Sequence, residues 1–218
     1  MFTGIITELG VVRAVRSIGE AISLELSAPR SAAELAERDS IAVNGVCLTV
    51  VEKSEGWFRA EAVEETLRKT TLGELRASGR VNLELPMRIS DRLGGHLVLG
   101  HVDCVGRVAS VETRASSWLF AIEYPPEHAR YLIPVGSIAV DGVSLTIADL
   151  REHSFVVSII PYTYEHTRFS EYSGGSRVNL EFDVLGKYVE RLLKHGVQPQ
   201  GEAGGVSEEK LRAWGYNV

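Results

Sequence analysis

The chain has 218 residues, 44% hydrophobic and 24% charged, and its 23 basic and 29 acidic side chains leave a net charge of −6. That balance excludes the basic footprint that nucleic acid or an anionic membrane requires, and no apolar run approaches the ~20 residues of a spanning helix. Two cysteines, Cys47 and Cys104, are too few for a disulfide framework and point to a reducing compartment.

The sequence opens Met1-Phe-Thr-Gly-Ile-Ile-Thr-Glu8, without the basic flank of a signal peptide and with a carboxylate where such a peptide is apolar. A cytoplasmic location is therefore expected. Short runs of Val, Ile and Leu follow at Gly10–Val15, Ile22–Leu26, Ile41–Val43, Val46–Val51, Trp57–Ala62 and Val81–Leu85, separated by Gly, Asn or charged turns. Such spacing predicts a small barrel or sandwich. Asn44-Gly45 between alternating apolar residues is a tight-hairpin signal, because both residues tolerate positive φ. Short helices are expected over Ser31–Arg38 and Glu64–Leu75.

The pattern then recurs. Ser40-Ile-Ala-Val-Asn-Gly-Val-Cys-Leu-Thr-Val50 lies over Ser137-Ile-Ala-Val-Asp-Gly-Val-Ser-Leu-Thr-Ile147 with eight of eleven positions identical, at an offset of 97. Arg80–Glu84 repeats as Arg177–Glu181 in the same register, and Gly4 and Gly10 fall on Gly100 and Gly106 one residue out of it. The expected organisation is two copies of one domain, 1–90 and 91–186, with a helix over 187–196 and a tail over 197–218. In Val184–His195 the period changes: Leu185, Tyr188, Val189, Leu192 and Leu193 form one apolar stripe, with Gly196 as the residue that ends the helix. Two readings of that stripe stay open, packing against its own chain and self-association. Gln198–Val206 is expected to be flexible, and Ser207–Trp214 to form a last short helix.

Strand parity locates candidate chemistry. After the Asn-Gly turn, Val46, Leu48 and Val50 share the core face, which sends Cys47 and Thr49 to the other side. The same parity pairs Ser144 with Thr146 in the second copy. A preserved frame with one Cys-to-Ser difference reads as a pocket used twice with one reactive change. His96 and His101, five apart, fit no zinc spacing, so no metal site is expected. Gly142-Val-Ser144-Leu-Thr146 lacks the final Gly of a nucleophile elbow, and the chain has no Gly-rich phosphate loop.

The opening Met1-Phe-Thr-Gly-Ile5, the twin Val-Asn-Gly-Val-Cys-Leu-Thr and Val-Asp-Gly-Val-Ser-Leu-Thr segments, Glu65-Thr-Leu-Arg-Lys-Thr-Thr-Leu72, Gly94-Gly-His-Leu-Val-Leu-Gly-His101 and Lys187-Tyr-Val-Glu-Arg-Leu192 together resemble the riboflavin synthase family. The resemblance implies a mainly β chain of tandem six-stranded Greek-key β-barrels with a C-terminal α-helix that trimerises it. It implies no cofactor, no membrane and no nucleic acid, a small-molecule substrate, and association with lumazine synthase. Two molecules of 6,7-dimethyl-8-ribityllumazine would exchange a four-carbon unit, giving riboflavin and 5-amino-6-ribitylaminouracil, where the first barrel of one subunit faces the second barrel of its neighbour.

Carried over residue by residue, the resemblance implies first-barrel contacts from Gly4, Ile5, Ile6, Cys47, Leu48, Thr49, Glu61, Ala62, Val63, Glu64, Glu65 and Thr66, with Ser40 nearby. It implies second-barrel contacts from Gly100, His101, Val102, Ser144, Leu145, Thr146, Ser158, Ile159, Ile160, Pro161, Tyr162 and Thr163, with Asp183 near the interface. Cys47 would be a nucleophile or proton-transfer group, His101 an acid/base, Ser144 and Thr146 orienting hydrogen bonds, and Phe2 apolar cover. Val135 stands where the family often has Lys, and Tyr162, Tyr164, Arg168 and Phe169 make the second copy bulkier than the usual pattern. A non-catalytic lumazine-binding antenna protein is the alternative reading, favoured less because both copies keep their motifs. A flavoreductase would need a flavin-binding Arg-x-Tyr-Ser/Thr motif that is absent.

Overall fold

The computed structural model describes residues 1–195 and 208–217. The expectations for Gly196 and Gln198–Val206 lie outside the described residues. The chain builds two closed antiparallel barrels of six strands. The first comprises β1 (Glu8–Ile18), β2 (Ala21–Ser27), β3 (Ser40–Val43), β4 (Val46–Ser54), β5 (Trp57–Ala62) and β6 (Arg80–Glu84). Their order around the barrel is β1-β2-β5-β4-β3-β6, so β3, β4 and β5 form a meander and β2 returns beside β5, the Greek-key connection. The second barrel repeats that order with β7 (Cys104–Thr113), β8 (Trp118–Glu123), β9 (Ser137–Val140), β10 (Val143–Leu150), β11 (Ser154–Ile159) and β12 (Arg177–Phe182).

The duplication extends to irregularities. The bulge between Val12 and Ala14 on β1 recurs between Val108 and Ser110 on β7, and that between Val50 and Glu52 on β4 recurs between Ile147 and Asp149 on β10. Each barrel needs such kinks to bend a twisted sheet into closure. Leu24, Leu26, Ile41, Val50, Phe58 and Leu83 fill the first barrel, and Phe120, Ile122, Phe155, Val157, Phe169 and Phe182 the second.

Strand ends and helices depart from expectation for local reasons. β1 and β4 run several residues past the predicted runs because their far ends pair across the hairpins, Ile18 with Ala21 and Ser54 with Trp57. α1 spans Pro29–Glu34, two residues earlier than expected, since Pro29 presets the first turn and the Glu8 carboxylate accepts from the amides of Arg30 and Ser31. The single helix expected over Glu64–Leu75 is broken. α2 (Glu64–Lys69) stops at Thr70, whose extended backbone and hydroxyl, donating to the Thr66 carbonyl and accepting from the Leu72 amide, start a separate 3₁₀ turn at Thr71–Glu74. α3 (Pro161–His166) and the turn Arg168–Glu171 repeat this around Thr167.

The barrels meet back to back at their equivalent hairpins. Asn44, Gly45, Asp141 and Gly142 all have positive φ, as a type I′ turn requires. A Cβ on Gly45 would lie 2.6 Å from the Gly142 amide nitrogen, and one on Gly142 would lie 2.8 Å from that of Gly45, so only glycine permits this approach. Around the hairpins, Asn82 Nδ2 donates to the Asp141 carbonyl and Asn179 Nδ2 to that of Asn44, both at 2.9 Å. This polar centre is fully buried, and the Asn82 and Asn179 amides pair across a pseudo-twofold relationship while Asn44 Nδ2 is left without a hydrogen-bond partner.

After the barrels comes α4 (Val184–His195), in a unit of its own with α5 (Glu208–Ala213). Leu185, Tyr188, Val189, Leu192 and Leu193 are all more than half exposed. No helix among the described residues is long and apolar enough to cross a membrane.

Candidate functional site

The parity argument holds in three dimensions. Val46, Leu48 and Val50 are buried while Cys47 is half-buried and Thr49 exposed, and in β10 Ser144 is half-buried and Thr146 exposed. Ser40 lies opposite Thr49 in the β3–β4 ladder, as Ser137 lies opposite Thr146.

The grouping of the segments differs from expectation: the arch that precedes each barrel packs on the other barrel. The Ser144 amide donates to the Gly4 carbonyl at 2.8 Å, and the Cys47 amide donates to the Gly100 carbonyl at 2.9 Å. Ile6 packs against the second core and Val102 against the first. The first-barrel set is thus Cys47, Leu48 and Thr49 with Gly100, His101 and Val102. Gly4, Ile5 and Ile6 join Ser144, Leu145 and Thr146. Phe2 and Val98 tie the two arches with a pair of backbone hydrogen bonds of 2.7 and 3.1 Å. Phe2 is fully buried there with Ala42, Val98 and Ala139, against which Cys47 packs, so it forms the joint between the arches and is no open cover over a pocket.

Two buried carboxylates at equivalent positions hold the arches. Glu84 accepts from the Thr3 amide and hydroxyl at 2.6 and 2.7 Å and from the Gly4 amide at 3.0 Å. Glu181 accepts from the amides of Leu99, Gly100 and His101 at 2.6, 2.9 and 2.9 Å. Burial pushes the Glu84 carboxyl above its ordinary value, and the donors from Thr3 and Gly4 oppose that. Neither carboxylate was singled out from the sequence, where Arg-Val-Asn-Leu-Glu registers only as a repeated strand.

His96 is the residue that sequence reasoning missed. It is buried, its Nδ1 lies 2.7 Å from Ser144 Oγ, and its amide donates to the Thr3 carbonyl at 3.2 Å. Burial holds its imidazole below the usual range, and the half-buried Asp183 carboxylate pulls weakly the other way.

Of the remaining expected contacts, Leu48, Ala62 and Ile159 point into the cores, so only their backbones can reach a ligand. Glu61, Val63, Glu64, Ser158, Ile160, Pro161 and Tyr162 are exposed around the entries to α2 and α3, with Thr66 and Thr163 half-buried. Glu65 is engaged by Lys69 and Arg68 of its own helix, which hold its carboxyl below its ordinary value. The bulkier second copy is used mostly for packing. Phe169 is core, Tyr164 stacks on Trp118 at 3.9 Å, Tyr162 stacks on His166 at 4.1 Å, and Arg168 stands 3.5 Å from the buried Asp141. Val135 is an exposed β-branched residue at φ 61°. Cys104 packs on the second core. No group of metal-ligating side chains occurs among the described residues. A cleft of about 650 Å³ beside the Thr3–Ile5 arch is lined by neither Cys47 nor Ser144.

Two barrels, each presenting a Cys/Thr or Ser/Thr pair beneath the other half's arch, define a tandem lumazine-binding protein, and the lumazine binding domain model matches residues 3–86 and 99–183. Riboflavin synthase of Actinobacillus pleuropneumoniae is 44% identical over 88% of this chain and 90% of its own length. That of Mycobacterium bovis is 46% identical over 89% and 98%, and that of Bacillus subtilis 40% over 88% and 90%. The chain belongs to the riboflavin synthase family. A crystal structure of LumP complexed with riboflavin shares the fold, with a TM-score of 0.78 and 22% identity over 84% of this chain and 99% of that one.

Proposed function

We propose that the chain is a riboflavin synthase, converting two molecules of 6,7-dimethyl-8-ribityllumazine into riboflavin and 5-amino-6-ribitylaminouracil by transfer of a four-carbon unit. The observation that carries this reading is the pair of equivalent strand–arch contacts, one at Cys47 and one at Ser144, in a chain 44–46% identical to enzymes of that name. Two identical substrate molecules in different roles call for a duplicated frame with a chemical difference, and Cys47 against Ser144 is such a difference. The C7 methyl of the lumazine is acidic, because its carbanion delocalises into the pteridine. Positioning, a proton acceptor and an added nucleophile therefore suffice, with no metal or cofactor.

In this reading Cys47 adds to the ring or moves a proton at the first pocket, and His101 acts as acid/base beside it. Thr146 and Ser144 orient the second lumazine, with Ser40 and Asp183 completing the polar rim. The candidate groups stand at an open surface, and excluding water from them requires a cover. That supports a site closed between the first barrel of one subunit and the second barrel of its neighbour, in a homotrimer held by the exposed apolar stripe of α4. Two cysteines, too few for a disulfide framework, fit a cytoplasmic location, and association with lumazine synthase would hand the substrate over directly.

The test is to mix the purified chain with 6,7-dimethyl-8-ribityllumazine alone and follow the absorbance of riboflavin. Appearance of riboflavin supports the enzyme. Stably bound, unconverted lumazine would favour the binding-only alternative.

A further inference from the structure

We infer that His96 is a positioning residue that makes the two pockets unequal: its Nδ1–H donates to Ser144 Oγ and leaves the Ser144 hydroxyl proton directed at an acceptor atom of the ligand in the second pocket. The inference rests on the proposed reading of Ser144 as a ligand contact. Its geometry is independent of that reading.

His96 reaches Ser144 through a tightly determined path. A Cβ on the preceding Gly95 would stand 2.2 Å from the Thr3 carbonyl oxygen and 2.7 Å from Ser144 Oγ, so the backbone is threaded directly between arch and strand. The His96 amide is then held by Thr3, which Glu84 holds in turn. Among the described residues the imidazole has one hydrogen-bond partner, Ser144 Oγ at 2.7 Å, while Nε2 is buried with none and the Asp183 carboxylate acts on the ring only electrostatically. Burial disfavours the charged ring, against the pull of the Asp183 carboxylate, and in the neutral ring one nitrogen carries a proton and the other a lone pair. A buried N–H without an acceptor costs more than an unused lone pair, which places the proton on Nδ1. Ser144 Oγ then accepts from His96, and its own proton is free for the ligand.

The first pocket is built otherwise. Cys47 packs against an apolar cluster of Phe2, Ala42, Val98 and Ala139. A thiol is a weak hydrogen-bond donor and a strong nucleophile, whereas a hydroxyl that accepts from an imidazole N–H has no base at that contact to take its proton and serves as a directed donor. The inequality of the two pockets therefore includes a neighbour supplied by the segment between the barrels, as well as the Cys/Ser exchange.

The experiment is equilibrium binding of riboflavin, followed by quenching of its fluorescence, to the full chain and to His96→Leu, His96→Asn, Ser144→Ala and the His96→Leu/Ser144→Ala pair. His96→Leu is expected to weaken one of two classes of site about threefold to tenfold, the scale of one directed hydrogen bond, and to leave the other unchanged. His96→Asn, whose amide N–H can replace Nδ1–H, is expected to restore most of the affinity. Ser144→Ala should weaken the same class, with no further loss on adding His96→Leu. Equal affinities for His96→Leu and the unsubstituted chain, or losses that add in the double variant, would overturn the inference. Should His96→Leu not fold, affinity kept by His96→Asn and lost by Ser144→Ala supports it, and the reverse pattern overturns it. Turnover of the unsubstituted chain is read separately, so failure of the proposed reaction and failure of the His96 assignment give different results.

Discussion

The Cys47 amide donates to the Gly100 carbonyl, 53 residues further along the chain, and the equivalent Ser144 amide donates back to Gly4. Each candidate site is therefore bordered by both halves of the chain. Gly100 has φ 80°, and a Cβ there would lie 2.6 Å from Cys47 Cβ. Gly100→Ala is expected to cost about 2 kcal/mol or more and to lower turnover more than tenfold, since both backbone and contact resist it. Gly19→Ala, at φ 60° but in open space, should cost only about 1 kcal/mol and leave turnover unchanged. Denaturant unfolding and initial rates on the two variants check this.

Glu181 satisfies three amides of the His101 arch through one buried carboxylate. Glu181→Gln keeps the volume but turns an acceptor oxygen into a donor facing N–H groups, with an expected loss of about 2 to 3 kcal/mol. Because the displaced arch carries Gly100 and His101, turnover should fall further than the loss of folded protein explains. Activity per folded molecule, from parallel melts and rates, is the measurement.

Burial raises the Asp141 carboxyl from its ordinary 3.8 to about 6, against the opposing pull of Arg168 and of the hydrogen bonds from Tyr172 and the Asn179 amide. The folded protein then holds a proton that the unfolded chain releases. This group's contribution to stability is greatest below pH 3.8 and declines as the pH rises to about 6. Asp141→Asn copies the first-copy Asn44 and should flatten that part of the pH profile. Thermal midpoints from pH 4 to 7 for both proteins test it, and identical slopes would be the contrary result.

Val135 pays a conformational cost at φ 61°, where β-branched residues are rarely found; Arg38 occupies the equivalent turn at φ 75°. Val135→Asn is expected to stabilise by about 1 kcal/mol, seen as a higher denaturation midpoint with an unchanged slope.

Much of this architecture was open to sequence reasoning. The 97-residue register defines two copies of one small β domain because a duplicated core must keep its apolar alternation, and parity places Cys47 and Ser144 off the core face for the same reason. The crossing of the arches was not readable. Gly4 and Gly100 sit in equivalent sequence contexts, and exchanging them between barrels leaves every local pattern intact. In the sequence His96 reads only as a poor metal ligand, since its partner Ser144 is 48 residues away and no periodicity connects them. The break at Thr70 is not legible in the sequence because the hydroxyl that interrupts the helix acts through local hydrogen bonds that leave no periodicity.

Two lumazines reacting at two unequal sites would fix the stoichiometry of the reaction. Its most direct measurement is the ratio of 6,7-dimethyl-8-ribityllumazine consumed to riboflavin and 5-amino-6-ribitylaminouracil formed, separated by chromatography after incubation with the chain and no added cofactor. The account predicts two consumed for one of each product, with slower formation by Cys47→Ser and His101→Gln. Lumazine recovered intact, or riboflavin formed without the uracil, would contradict it.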